Sequence, residues 1–206
     1  LFRSGNMLDK ENKAIYGLEF SYETIPNELN LFDYDAFKAY KGDFYCVVTN
    51  LLTCEAEYMK YTGEDRTNTV LQATCALPML FPPIIINDTP YMDGGLTGSI
   101  PFMRALEDGC DRVLVVLTRE AGYTKTTSTS TKAIARYYEK EYPKLSEVML
   151  SRAERYNECL KQLKEYEDSG KVMVIRPAVS KGFSRLEKDK NKILSMYNDG
   201  YNQGYA

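Results

Sequence analysis

The sequence IIINDTPYMDGG, residues 84–95, sets the local architecture around the carboxylate that stands out in this chain. Apolar residues flank the polar group Asn87-Asp88-Thr89, which predicts a β-hairpin. The second strand ends in Asp93-Gly94-Gly95, so the acid lies beside backbone without a β-carbon, where a substrate or another catalytic group can approach closely. An Asp-Gly pair is also the commonest way to build a tight turn, and that simpler interpretation stays open.

Helices and strands alternate on both sides of this hairpin. The apolar run Arg112–Thr118 follows a helical stretch, a context that implies a parallel sheet covered on both faces and therefore an α/β fold. The pattern predicts helices over Asp33–Tyr40, Thr67–Ala76, Ile100–Asp108 and Ser146–Glu167, and further strands over Phe44–Thr49, Glu55–Tyr61 and Lys171–Pro177.

Two segments near the carboxyl-terminal half carry local signals. Residues 121–130 are rich in Ser and Thr and predict a loop, which either overhangs a ligand site at the sheet edge or is a solvated connection. Ser184-Arg185-Leu186-Glu187 has the spacing of a capping box and predicts a closing helix through Ile193, Leu194 and Tyr197.

Composition narrows the classes of protein and of site. The 206 residues are 44% hydrophobic and suit one sizeable domain, or a domain with a short appendage. The net charge of -3 offers no electrostatic footprint for nucleic acid. The chain has no histidine, which excludes Ser-His-Asp and Cys-His catalysis and the usual catalytic zinc site. Its five widely spaced cysteines predict reduced core residues rather than disulfides or a metal site, and no cofactor is expected.

No stretch of the sequence predicts a membrane span or a signal peptide, and we expect a cytoplasmic protein. The apolar face of the helix over Ser146–Glu167 is read as a core-packing face, with contact to a membrane surface as the less favoured alternative. Leu1 is not expected to be the native start of the protein, because it is not a methionine.

An ordered series of motifs runs along the chain. It comprises Ala73–Pro78, Phe81-Pro82-Pro83, Asp93-Gly94-Gly95, Ser99-Ile100-Pro101 and Gly109-Cys110-Asp111. The series resembles patatin-like phospholipases, and among them the bacterial patatin-like esterases. Thr74 stands where the family usually has serine, and Cys54 stands where it usually has glycine. The ending around Ile175-Arg176-Pro177 is similar to that of the bacterial subset.

The resemblance implies a three-layer α/β/α patatin-like (lysophospholipase-like) fold with a mostly parallel central sheet, incomplete at the N-terminus. Residues 1–145 would form the core, and residues 146–206 an appendage packed on it. It also implies a serine acyl hydrolase that cleaves lipid or carboxylic esters through a Ser-Asp dyad, in which Asp93 is the general base. Gly94, Gly95 and Pro78 are the expected substrate-binding residues. Transient contact with a membrane surface and a homo-oligomer are left open.

One part of the family pattern does not occur in this sequence. The family has a Gly-rich oxyanion loop and a Gly-x-Ser-x-Gly nucleophile elbow before the region that matches here. We therefore expect roughly 60 residues, or two strand-turn-helix units, upstream of Leu1, and expect the printed segment alone to be inactive. The alternative is a non-catalytic acyl-binding or interaction module that keeps the fold without the nucleophile.

Overall fold

The computed structural model describes residues 17–183 and 187–205, which form two compact units. The first unit comprises the described residues up to Ser99 together with Thr127–Arg152. The second comprises Ile100–Thr126 and the described residues from Ala153 onwards. This division follows compactness in space, and the sequence boundary at residue 145 stays a prediction.

The first unit is built on a four-stranded sheet. Its strands are β1 (Tyr45–Asn50), β2 (Ala56–Lys60), β3 (Ile84–Ile86) and β4 (Thr89–Asp93), in the spatial order β2-β1-β4-β3. All three pairings in this sheet are antiparallel. Its helices are α1 (Tyr34–Ala39), α2 (Thr69–Thr74) and α4 (Thr129–Tyr138), preceded by a π-helical segment over Phe20–Leu29. Helix α5 (Pro143–Asp168) contributes its residues up to Arg152 to this unit.

Local sequence signals explain several of these elements. The Asp33 carboxylate caps α1 by accepting a hydrogen bond of 2.8 Å from the Ala36 N–H. The predicted hairpin forms between β3 and β4, with Asn87 and Asp88 at φ angles of 48° and 62°. Asn and Asp tolerate this left-handed conformation, which a two-residue hairpin turn requires. The hairpin predicted from the sequence is thus confirmed.

Strand β4 has apolar cover on both of its faces. Tyr91 belongs to one buried cluster with Val48 of β1 and Ala73 of α2. The next residue, Met92, belongs to a second cluster that includes Ala135 of α4 and Leu145 of α5. Because successive side chains of a strand point to opposite faces, helices lie on both sides of this strand. The strand therefore delivers its last residue, Asp93, from a rigid and buried position.

The second unit contains a two-stranded sheet of β5 (Val113–Val116) and β6 (Val172–Ile175), with α3 (Phe102–Glu107), the remainder of α5, and α6 (Lys190–Tyr205). The two strands are parallel. One face of the sheet packs on Phe102 and Leu163. On the other face, Leu114 and Val116 are 57% and 68% exposed.

These exposed fractions contradict the prediction that the strand over Arg112–Thr118 is covered on both faces. An unbroken apolar run indicates a strand but does not report what lies over each face. The mostly parallel central sheet is likewise not confirmed, because the four-stranded sheet is antiparallel and the parallel sheet has two strands. The short connections between β1 and β2 and between β3 and β4 favour antiparallel neighbours, since parallel neighbours need a long crossover. The α/β class itself holds.

Two further expectations differ or lie outside the described residues. The Ser/Thr-rich loop predicted over residues 121–130 ends earlier, because α4 begins at Thr129 and the Ser128 hydroxyl caps it by accepting from the Thr131 N–H. Serine and threonine are preferred at this capping position, so the composition that predicts a loop also predicts a helix start. The capping box expected from Ser184 falls on residues 184–186, outside the described residues. No helix in the described parts of the chain has the length and apolar content needed to cross a membrane.

Candidate functional site

Asp93 ends β4 and is held by its backbone on two sides. Its N–H donates a hydrogen bond of 2.9 Å to the Ala76 carbonyl, just beyond α2. Its carbonyl accepts one of 2.9 Å from the hydroxyl of Thr49 in β1. Asp93 is paired with Val48 in the sheet register, and its side chain is half-buried. The position of the carboxylate is therefore set by the sheet and by α2 together.

The carboxylate of Asp93 also organises the turn that follows. One of its oxygens, Oδ1, accepts a hydrogen bond of 2.6 Å from the Gly95 N–H and so caps the 3-10 turn Gly94–Leu96. A hydrogen bond to an ionised acceptor is about twice as strong as one between neutral groups. We call residues Asp93 to Gly98 the Asp93 turn, which is closed by a 2.7 Å bond from the Gly98 N–H to the Gly94 carbonyl.

Gly94 is required here by space. A β-carbon at this position would lie 2.1 Å from the Val47 carbonyl oxygen, far inside contact distance. The turn therefore packs directly against the backbone of β1. The Thr74 hydroxyl donates a 2.6 Å hydrogen bond to the same Val47 carbonyl. Thr74 stands where the family usually has serine, and its hydroxyl is bonded to a residue 27 positions away in the sequence.

Gly95 lies where two charged side chains meet. A β-carbon on Gly95 would be 2.8 Å from Asp93 Oδ1 and 3.1 Å from a terminal nitrogen of Arg152. The Gly95 carbonyl accepts hydrogen bonds of 2.6 Å from Arg152 Nε and of 2.8 Å from the Ser99 hydroxyl. The Ser99 hydroxyl is therefore engaged within the turn.

Arg152 is the residue of this site that sequence analysis missed. It lies on α5 between Met149 and Ala153, two buried residues of the apolar stripe, and it is itself half-buried. The sequence pattern identifies the apolar face of this helix and does not single out Arg152. Its direct neighbour in sequence, Ala153, belongs to the buried stripe, and this border position is the signal that could have singled it out.

The other predicted binding residue, Pro78, is buried in the turn that follows Ala76. The next residue, Met79, has a φ of 67° and donates its N–H to the Tyr138 hydroxyl at 3.3 Å. Pro78 is therefore part of the tight turn that follows α2. The Ala76 carbonyl of the same segment accepts the hydrogen bond from the Asp93 N–H. Its role toward a substrate stays a prediction, as do those of Gly94 and Gly95.

Two buried thiols, those of Cys46 and Cys54, have raised pKa values. Burial raises the pKa of Cys46 in β1 to about 11, and nearby Cys75 adds to the effect. Burial also raises the pKa of Cys54, which follows β1. A thiol with a raised pKa is a poor nucleophile at neutral pH. Within residues 17–183 and 187–205, no group of three or more Cys, Asp or Glu side chains is placed to hold a metal ion.

The first unit also contains a cavity of about 380 Å³. It is lined mainly by aromatic residues, among them Phe32, Tyr34, Phe37 and Tyr61, and none of its lining residues belongs to the Asp93 turn. Asn68 lies at its base and joins the hydroxyls of Tyr34 and Tyr61 through hydrogen bonds.

Comparison with known families agrees with the motifs around Asp93. Residues 11–106 match the family model of patatin-like phospholipases. This segment is similar to patatin-like phospholipases. The match includes the Asp93 turn, so the chain carries a domain of a lipid hydrolase family, and the resemblance seen in the sequence is confirmed at that level.

A second family model matches the carboxyl-terminal part of the chain. Residues 142–206 match a model described as a domain of unknown function (DUF6363). Arg152 lies in this second segment, whereas Asp93 and Gly95 lie in the first. A comparison with curated proteins finds no match.

Proposed function

We propose that the protein is a serine acyl hydrolase that cleaves lipid or carboxylic esters through a Ser-Asp dyad, with Asp93 as the general base. The observation that carries the proposal is the geometry of the Asp93 turn inside a patatin-like segment. The carboxylate is half-buried, its backbone is fixed on two sides, and glycine is the only residue that fits next to it. The nucleophilic serine is proposed to lie outside the printed sequence, on a Gly-x-Ser-x-Gly elbow of a three-layer α/β/α fold.

The chemistry needs a base that is already in place. A serine hydroxyl is a weak nucleophile until a neighbouring group takes its proton during attack on the ester carbonyl. The sequence has no histidine for this role. A carboxylate held within hydrogen-bond reach of the serine can accept the proton and return it to the leaving alcohol. Because Asp93 is held by β1, α2 and its own turn, little ordering remains to be done on substrate binding.

Gly94, Gly95 and Pro78 are proposed to form the substrate-binding part of the site, Gly95 through its half-buried backbone and the buried Gly94 and Pro78 by shaping the turn and the exit from α2. Whether the substrate is a lipid or a soluble ester, and how long its acyl chain is, are questions for the hydrolysis assays described below. Transient contact with a membrane surface and self-association are further proposals. The exposed face of β5 and β6, with Leu114, Val116 and Met173 each more than half exposed, supports them, because such patches mark contact surfaces.

The test compares Asp93→Asn with Asp88→Asn in the full-length protein. Both variants remove one negative charge, and asparagine tolerates the left-handed conformation of Asp88, which is exposed in the hairpin turn. Hydrolysis of nitrophenyl esters and of phospholipid vesicles is measured for each. We expect kcat of Asp93→Asn to fall a hundredfold or more, the usual size for loss of a general base, and Asp88→Asn to stay near wild type.

Labelling with a fluorophosphonate probe separates the two functions considered for this chain. A labelled serine in the wild-type protein supports the hydrolase. Full hydrolytic activity of Asp93→Asn would remove Asp93 from the mechanism. A full-length protein that neither hydrolyses esters nor takes the label would instead favour the non-catalytic acyl-binding module.

A further inference from the structure

The side chain of Arg152 connects the segment that matches the domain of unknown function to the Asp93 turn. Arg152 Nε donates a 2.6 Å hydrogen bond to the Gly95 carbonyl. The two residues are 57 positions apart in the sequence, and both belong to the first compact unit. This is a contact between two separately matched parts of the chain, residues 142–206 and residues 11–106.

The guanidinium group of Arg152 and the carboxylate of Asp93 both lie close to Gly95. A point one bond length from the Gly95 Cα is 2.8 Å from Asp93 Oδ1 and 3.1 Å from a terminal nitrogen of Arg152. The backbone of Gly95 thus bridges the two side chains. Its N–H donates a hydrogen bond of 2.6 Å to Asp93 Oδ1, and its carbonyl accepts one of 2.6 Å from Arg152 Nε.

An arginine suits this position better than another cation. Its Nε–H and terminal N–H groups diverge in one rigid plane, so the group can hold a carbonyl with one donor and face a carboxylate with another. A lysine carries a single charge at the end of a flexible chain and cannot reproduce this fork. The apolar neighbours Met149 and Ala153 are buried, which limits the directions that the arginine stem can take.

We infer that Arg152 is the positioning residue for Asp93, and that the segment at residues 142–206 serves the patatin-like segment by supplying it. This inference rests on the proposed hydrolase function. Arg152 fixes the backbone of Gly95 through the carbonyl, and the Gly95 N–H in turn fixes the orientation of the Asp93 carboxylate. Ser99 also donates a hydrogen bond from its hydroxyl to the Gly95 carbonyl, but this group is neutral and cannot replace the charge of Arg152.

The test uses three variants of the full-length protein: Arg152→Ala, Arg152→Lys and the control Arg136→Ala. Arg136 is an exposed arginine of α4 in the same compact unit. For Arg152→Ala we expect kcat to fall ten- to a hundredfold while KM changes less than threefold, because the residue acts on the base rather than on substrate binding. Arg152→Lys is expected to recover little of the loss, and Arg136→Ala is expected to match wild type.

Chemical rescue distinguishes positioning from a general structural role. Methylguanidinium added at millimolar concentrations is expected to raise the kcat of Arg152→Ala at least fivefold and to leave the kcat of Asp93→Asn unchanged. A variant that has merely lost part of its folded population would not respond to the small cation. A kcat within twofold of wild type in Arg152→Ala, or a loss that methylguanidinium leaves unchanged while the folded fraction falls in parallel, would overturn the inference.

Hydrogen exchange measured by mass spectrometry separates this inference from the proposed function. Peptides that cover the Asp93 turn report the Gly95 and Gly98 N–H groups, which are both bonded inside it. We expect faster exchange there in Arg152→Ala and unchanged exchange in Arg136→Ala. Faster exchange in a protein without hydrolytic activity would refute the hydrolase proposal and keep Arg152 as the residue that holds the turn. Unchanged exchange would refute the positioning role whatever the activity.

Discussion

The turn that follows β4 is held by hydrogen bonds from several elements, whereas the sheet of β5 and β6 leaves one face open. In the first region, strand β1, the exit from α2 and the side chain of Arg152 all bond to residues of the Asp93 turn. In the second, Leu114 and Val116 are more than half exposed. Both regions contain an apolar strand, but in the first the backbone beside a carboxylate is fixed by hydrogen bonds. The difference indicates that rigidity, not the strand pattern, marks the candidate site.

The largest effect is expected from closing the space at the Asp93 turn. Gly94→Ala places a methyl group 2.1 Å from the Val47 carbonyl oxygen, so the backbone must move, and we expect a loss of about 3 kcal/mol or more in unfolding free energy. Gly200→Ala in α6 would meet no atom of the described residues within 4 Å and should gain up to about 1 kcal/mol from helix propensity. Urea unfolding followed by circular dichroism measures both. Similar midpoints for the two variants would contradict the described packing of the turn.

A second contrast lies in two thiols. Burial raises the pKa of Cys46 in β1 to about 11, whereas Cys110 is exposed in the second unit. Cys46 is buried and its thiol stays protonated at pH 8, so we expect it to react with a disulfide reagent at least about a hundredfold more slowly than the exposed Cys110. Equal rates at pH 8 would show that β1 is open.

The same pKa predicts how stability depends on pH. The thiol of Cys46 is neutral below its unfolded value near 9 and resists ionisation in the folded state. Its contribution is therefore fully present below about pH 9 and is lost as the pH rises toward 11. Thermal unfolding of Cys46→Ala across this range should show a weaker decline than that of the wild-type protein.

Valine substitutions compare the cores of the two sheets. Val48 in β1 is 0% exposed and Val116 in β5 is 68% exposed. Truncation of Val48 to alanine should cost about 2 kcal/mol, because two buried methyl groups are lost and a cavity remains. Truncation of Val116 should cost less than about 0.5 kcal/mol. A cost at Val116 equal to that at Val48 would mean that the open face of the second sheet is covered in solution.

The smallest effect concerns the cysteine that stands where the family usually has glycine. Cys54 has a φ of 59°, the left-handed conformation that favours glycine. Cys54→Gly and Cys54→Ala both remove the thiol, and only glycine adopts this backbone without strain. We therefore expect the glycine variant to be about 1 kcal/mol more stable than the alanine variant. Thermal unfolding of the two proteins side by side decides it, and the reverse order would exclude backbone strain at this position.

Local signals in the sequence predict much of this structure. The cap at Asp33, the hairpin turn at Asn87 and Asp88, and the extent of most helices follow from residue types whose conformational preferences act over a few positions. The direction of strand pairing does not follow, because apolar patterns report burial and period but not which strands become neighbours. The start of α4 was missed for a different reason, since Ser128 serves equally well in a loop and at a helix start.

The candidate site divides in the same way. Asp93 and its two glycines stand out because an acid next to glycine can be read from three adjacent residues. Arg152 does not stand out in the sequence, because it is one of many charged residues in α5 and its hydrogen-bond partner Gly95 lies 57 positions away. The family match adds the class of chemistry, which the spacing of residues cannot supply.

We propose that the carboxylate of Asp93 faces the nucleophile of an acyl hydrolase, and a crystal structure of the full-length protein after reaction with a fluorophosphonate tests this contact. We expect a modified serine whose Oγ lies within hydrogen-bond reach of the Asp93 carboxylate, about 2.6–3.2 Å or one bridging water away. A modified serine beyond the reach of one water, with Asp93 still bonded to Gly95, would show that Asp93 is not its base.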